Sequence, residues 1–138
     1  MVFSGEGRVF VRQLVRHRDG LLAGLAGASA VLLGAFGAHG LRGTLDAAHY
    51  ELWHTAVEYH FWHALALGLA VLCGRQKAAR IASLAFGLGI VLFSGSLYAL
   101  ALGGYRTIGL ATPFGGVAFI VGWIALGLAL HAKSQSIQ

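Results

Sequence analysis

The sequence predicts an all-α integral membrane protein: a four-transmembrane-helix antiparallel bundle with both termini cytoplasmic and a basic amphipathic segment at its N-terminal end. Three observations predict it. Of 138 residues, 57% are hydrophobic and 11% charged, with a mean hydropathy of +0.73, more apolar surface than a soluble core of this size can bury. Four apolar stretches, 21–38, 55–72, 81–103 and 110–130, each approach the ~20 residues that cross hydrocarbon. Basic residues divide unequally between alternate sides: Arg8, Arg12, Arg16, Arg18, Arg75, Lys77, Arg80 and Lys133 on one, Arg42 and Arg106 on the other. That asymmetry sets the termini in the cytoplasm and argues against insertion in both orientations.

Composition also excludes classes. The net charge of +5 is accounted for by residues flanking the spans, so it reads as a topology signal and not as a nucleic-acid surface. Cys73 is the single cysteine, which rules out an intrachain disulfide framework. With 21 glycines and one proline, the chain has neither a collagen period nor a disordered composition, and its glycines serve close packing.

In order along the chain, residues 1–20 form a basic leader. Phe10, Val11, Leu14 and Val15 share one helical face and Arg8, Arg12 and Arg16 another, the pattern of an interfacial helix on an anionic leaflet; a frayed basic tail is the alternative. The leader superficially resembles a signal peptide or a mitochondrial presequence, but the expectation is a retained segment and a bacterial inner membrane. Residues 21–130 form the transmembrane domain and 131–138 a cytoplasmic tail. Span one carries Ala26, Ala30, Gly34 and Ala38 at four-residue intervals, which lets another helix approach closely. Residues 41–54 favour a helix leading into span two, the most polar and therefore the most enclosed span. Ser83, Gly87, Ser94 and Tyr98 share a face of span three, and Ala118 with Gly122 one of span four. Pro113 and its neighbours mark the start of that last helix.

The polar residues of the spans fall in the outer half of the bundle. At ~1.5 Å rise per residue, Glu58, His63, Ser94, Ser96, Tyr98 and Thr112 lie within roughly 3–14 Å of the outer ends, with His39 closing span one at that level. Helical phase groups Glu58, Tyr59, Trp62 and His63 on one arc, with His60 at its edge, reaching toward the interface or a partner chain. A carboxylate in lipid is expensive, so Glu58 is expected to be protonated or paired with His39, His63, Tyr98 or a serine. Two readings stay open: a structural clamp between helices, or a proton, metal or small-ligand site.

The metal candidates are His39, Glu58, His60 and His63, in no diagnostic spacing. Glu51 and His54 form an ExxH, but the spans lack the further carboxylates of a di-iron bundle. A haem between His39 and His63 faces a mismatch in depth. No phosphate loop, dinucleotide fingerprint or nucleophile with its base is present, so no cofactor is implied and a non-enzymatic role is expected. The expected partners are membrane lipid and either further copies of the chain or a larger membrane complex.

Four motifs carry a family resemblance: GAFGAH at 34–39, WHTAVEYHFWHA at 53–64, LFSGSLY at 92–98, and TPFGG at 112–116 followed by Gly122 and Trp123. In this order they resemble the DUF423 family of small membrane proteins, which includes transmembrane protein 256 and the bacterial YgdD proteins. The resemblance covers about residues 21–130. It implies four membrane helices and no defined activity, and its motifs fall on His39, Glu58, Tyr59, His63, Ser94, Ser96, Tyr98, Thr112 and Pro113. His60 matches less firmly, and the leader finds no counterpart.

Overall fold

The structure, a computed structural model, describes residues 5–74 and 76–135, with side chains from Asp19 onward. The two faces predicted for the leader, Arg75 and the last three tail residues therefore lie outside what it describes. Helix α1 (Gly5–Phe36) continues through a π-helical turn, Gly37–Leu41. Helix α2 is Ala47–Leu72. Helix α3 (Lys77–Gly89) passes through a second π turn, Ile90–Ser94, into α4 (Gly95–Ala101), so the three form one rod. A 3₁₀ turn, Arg106–Leu110, leads into α5 (Ala111–Gln135).

The result is four helical rods joined by short connections. Each connection turns at a glycine with positive φ, Gly43 (83°), Gly74 (87°) and Gly103 (84°), a conformation that side chains oppose. Asp46 caps α2, its Oδ1 accepting the His49 backbone N–H at 2.9 Å. At the other end of α2, the Lys133 ammonium donates to the Leu72 carbonyl at 3.1 Å. The Gln76 amide donates to the Ala129 carbonyl at 2.9 Å, tying the α2–α3 connection to the end of α5.

Three stretches are long and apolar enough to cross a membrane: Asp19–Leu41, Lys77–Ala101 and Arg106–Gln135. Helix α2, with Glu51, Glu58 and four histidines, is not among them. Around the rods, Leu25, Leu32, Leu65, Leu84, Val91, Val117, Ile120 and Leu128 stand exposed, an apolar exterior suited to lipid rather than water.

Inside, small residues let the helices close. Ala66, Ala70, Ala79, Ala82, Ala125 and Ala129 form the inner core together with Leu67, Phe86, Phe119 and Leu126. Helix α1 packs on α2 alone among the described helices. Ala30 is buried there and Gly34 meets Val57, as the four-residue spacing predicts. Ala38 is exposed instead, because the π turn shifts the face so that Gly37, lying against Trp53, continues the contact. The second π turn likewise breaks the phase that put Ser83, Gly87, Ser94 and Tyr98 on one face: an i→i+5 turn holds a residue more than the 3.6 period assumes.

Candidate functional site

Helix α2 turns Trp53, Ala56, His60, His63, Ala64, Leu67 and Ala70 inward. The alanines on this face admit the neighbouring helices, which fixes the rotation of the helix. At 100° per residue, Glu58 then lies about 160° round from His60 and about 140° from His63. The expectation that one arc buries Glu58 with His63 and leaves His60 at the edge is corrected. His60 is 6% exposed and His63 5%, while the Glu58 side chain is 45% exposed and sits 3.7 Å from His54 Nδ1. None of the partners expected for Glu58 reaches it; its neighbour is the exposed histidine one turn earlier on its own helix.

The buried histidines are each fully engaged. The Ser29 hydroxyl donates to the Ala26 carbonyl at 3.0 Å, so its oxygen can only accept from His60 Nε2–H, 3.3 Å away. His60 Nδ1 is then left to accept the Tyr98 hydroxyl proton at 3.3 Å. One directional chain thus crosses from α4 through α2 to α1. His63 Nδ1–H donates to the Tyr59 carbonyl at 2.7 Å, and its Nε2 accepts the Trp123 indole N–H at 3.2 Å. Both patterns use the neutral ring in a single tautomer. The His63 ring lies flat on Phe119, centroids 3.4 Å apart at 11°, and Tyr59 stacks on Phe93 at 4.5 Å.

A third chain joins the last two rods. The Ser96 hydroxyl donates to the Phe93 carbonyl at 2.9 Å, and Thr112 donates to Ser96 across 2.6 Å. Ser94 is fully buried, and its hydroxyl has no hydrogen-bond partner among the described residues. His39 is exposed, its Nδ1–H bonded to the Ala35 carbonyl of its own helix at 3.0 Å. It meets neither His63 nor Glu58, so the two rings proposed for a haem are not brought together. Nor do His39, Glu58, His60 and His63 assemble: among the described residues no group of three or more His, Cys, Asp and Glu could hold a metal. Glu51 and His54 are both exposed.

Sequence reasoning missed three members of this arrangement. Ser29 accepts from His60, Phe119 stacks on His63, and the Trp53 indole donates to the Leu33 carbonyl at 3.1 Å over Gly37. Trp123, which entered the sequence analysis only as part of a family motif, is the partner of His63.

The profile described as "Protein of unknown function (DUF423)" matches residues 33–116. The chain belongs to this family. A relative named UPF0382 membrane protein YwdK, from Bacillus subtilis, is 47% identical over 105 residues, covering 72% of this chain and 85% of the relative. The UPF0382 inner membrane protein YgdD of Escherichia coli is 45% identical over 121 residues, covering 85% and 92%. A UPF0382 membrane protein of Haemophilus influenzae is 44% identical over 118 residues, covering 84% and 94%. No solved structure matches the chain. The segment matched by the DUF423 profile contains His39, Glu58, Tyr59, His60, His63, Ser94, Ser96, Tyr98 and Thr112, whereas Ser29 and Trp123 lie just outside it.

Proposed function

We propose that the chain crosses the bacterial inner membrane four times with both termini in the cytoplasm, and that it acts as a non-enzymatic accessory or assembly protein of that membrane. In this reading residues 1–20 and 131–138 flank the bundle on the cytoplasmic side, and lipid and a larger membrane assembly are its partners. The eight-to-two division of Lys and Arg supports the orientation. The fourth crossing rests on α2, whose His60 and His63 lie inside while Phe61, Trp62, Leu65, Leu69 and Leu72 make its outward side apolar over the inner half.

The observation that carries the clamp is where the hydrogen bonds end. The chain from Tyr98 stops on the Ala26 carbonyl, the one from Trp123 on the Tyr59 carbonyl, and the one from Thr112 on the Phe93 carbonyl. A backbone carbonyl has no proton to pass on, so each chain is a terminated tie between helices and not a conduit. A proton or metal site needs Glu58, His39 and His63 in one place, whereas His63 is buried inside the bundle and Glu58 and His39 stand on its outside.

The test compares His60→Phe and Tyr98→Phe with wild type in proteoliposomes and by thermal melting. A clamp predicts lower melting temperatures and proton permeability equal to that of empty vesicles throughout. Proton flux through the wild type that disappears in His60→Phe while melting is unchanged overturns it. Orientation is checked by thiol labelling, with Ala47→Cys expected to react from the periplasm and Gln76→Cys from the cytoplasm.

A further inference from the structure

Helix α2 leaves one face uncovered that differs from every other exterior face of the bundle. Glu51, His54, Glu58, Phe61, Leu65 and Leu72 follow one another at spacings of three, four or seven along it, with Trp62 and Leu69 beside them. His54 and Glu58 side chains are 59% and 45% exposed, Phe61 40%, Leu65 57% and Leu72 72%. The large outward side chains of α1, α3 and α5 at membrane depth are Leu, Val, Ile and Phe, groups that lipid tails satisfy, with Trp123, whose indole N–H is taken up by His63. The α2 face is apolar over its inner half and ionisable over its outer half.

Depth makes this a problem that lipid does not solve. Val57 packs at Gly34, four residues from the middle of the apolar stretch Asp19–Leu41, or ~6 Å from the mid-plane at the rise of a helix. The next residue, Glu58, is therefore well inside a half-thickness of ~15 Å. A short carboxylate side chain there is costly against hydrocarbon, and the group beside it, His54 on the same helix, is itself exposed.

We infer that this face is covered by a second copy of the chain, packed α2 against α2 in a parallel two-fold dimer. The charge pattern argues for self-association. An acid and an imidazole stand one turn apart on the same face, so a two-fold axis along the helix brings two Glu58 carboxyls and two His54 rings into adjacent layers. Two acids meet two bases, and shared protons make the cluster neutral. Below it Phe61, Leu65 and Leu72, spaced four and seven apart, keep the register of a coiled-coil seam, with Gly68 at the position between the two leucines. A partner of different chemistry is not required, because each copy carries both halves of the pair. The inference rests on α2 crossing the membrane.

The test uses full-length chain in native membranes, with Cys73→Ala as background and one cysteine added at a time. Oxidation of Phe61→Cys and Leu65→Cys is expected to shift the band from one chain to two. Leu84→Cys on α3 and Ile120→Cys on α5, more exposed than either, are expected to stay at one. The same set in the wild-type background, where the Cys73 thiol is buried, guards against a folding defect of the alanine variant. A crosslink from Phe61→Cys or Leu65→Cys to a different protein, or no crosslink from either while Ala47→Cys and Gln76→Cys label from opposite sides, overturns the dimer and leaves the topology standing. Labelling of those two positions from the same side overturns both.

Discussion

The bundle contains two seams of opposite construction. Helix α1 has a single neighbour among the described helices: 11% of its apolar stretch is buried, against 33% in each of the other two. What holds it is directional, the Trp53 indole on the Leu33 carbonyl and His60 on Ser29. Between the α3–α4 rod and α5 the seam is made of shape. The Phe119 ring lies on Gly89, Phe86 on Gly122, and the Phe93 backbone on Gly115, each occupying the space a side chain would need. In lipid, apolar burial gives no preference for helix over hydrocarbon, so association comes from fit or from hydrogen bonds. Fit dominates one pair of rods, with Thr112 on Ser96 as its one side-chain bond described above, while the other adds two side-chain hydrogen bonds to the close approaches at Gly34 and Gly37.

The contrast is broken most severely at Phe119. It is 3% exposed and stacked on His63. Phe119→Ala is expected to cost about 3 kcal/mol, the low end for a buried phenylalanine, because the separated helices keep the ring in lipid. Unfolding in mixed detergent measures it. Next comes Gly115→Ala, which sets a methyl against the backbone of Phe93 and is expected to cost roughly 1–3 kcal/mol. Gly127→Ala is the sharpening control. Nothing lies near that position, so it is expected to be neutral or to stabilise by about 0.5–1 kcal/mol through helix propensity.

The hydrogen-bonded seam predicts smaller losses. Trp53→Phe keeps an aromatic ring but removes the indole N–H and part of a buried bicycle, and is expected to cost about 1–2 kcal/mol in the same assay. A loss larger than that of Phe119→Ala would reverse the comparison.

The smallest effect lies outside the membrane, at the cap of α2. The His49 backbone N–H, and then its ring, hold the Asp46 carboxyl below the usual carboxylate range. The folded value is the lower one, so this contribution is complete above the ordinary range and is lost as pH falls through the depressed value. Asp46→Asn caps about as well without titrating, and is expected to flatten the acid limb of the melting profile and leave the neutral limb in place.

The all-helical membrane character, three of the apolar stretches and the family were legible because hydropathy and four ordered motifs each report on large stretches of chain. The inward side of α2 was harder. In a soluble helix polarity separates the buried stripe from the exposed one, but the two sides of α2 are almost equally apolar. Reading Glu58 as the inward marker therefore chose the wrong half. The signal that does find the buried face is size: Ala56, Ala64 and Ala70 lie on one side with His60 and His63, by the rule that identified the packing stripe of span one. Helical phase also failed across residues 90–94, since hydropathy does not betray a π turn.

That turn gives chain length a meaning that composition lacks. One residue more than an α-helix needs advances everything after it by about 100°, and the widened backbone at Phe93 is seated on Gly115. The advance is what aims Tyr98 at His60 and Ser96 at Thr112 while Phe86, upstream, keeps its place on Gly122. A single-codon deletion between Ile90 and Ser94 would leave the hydropathy of the rod intact and rotate its outer third away from two neighbours at once. Count, not chemistry, is the most economical way to disconnect the outer half of this bundle from its inner half.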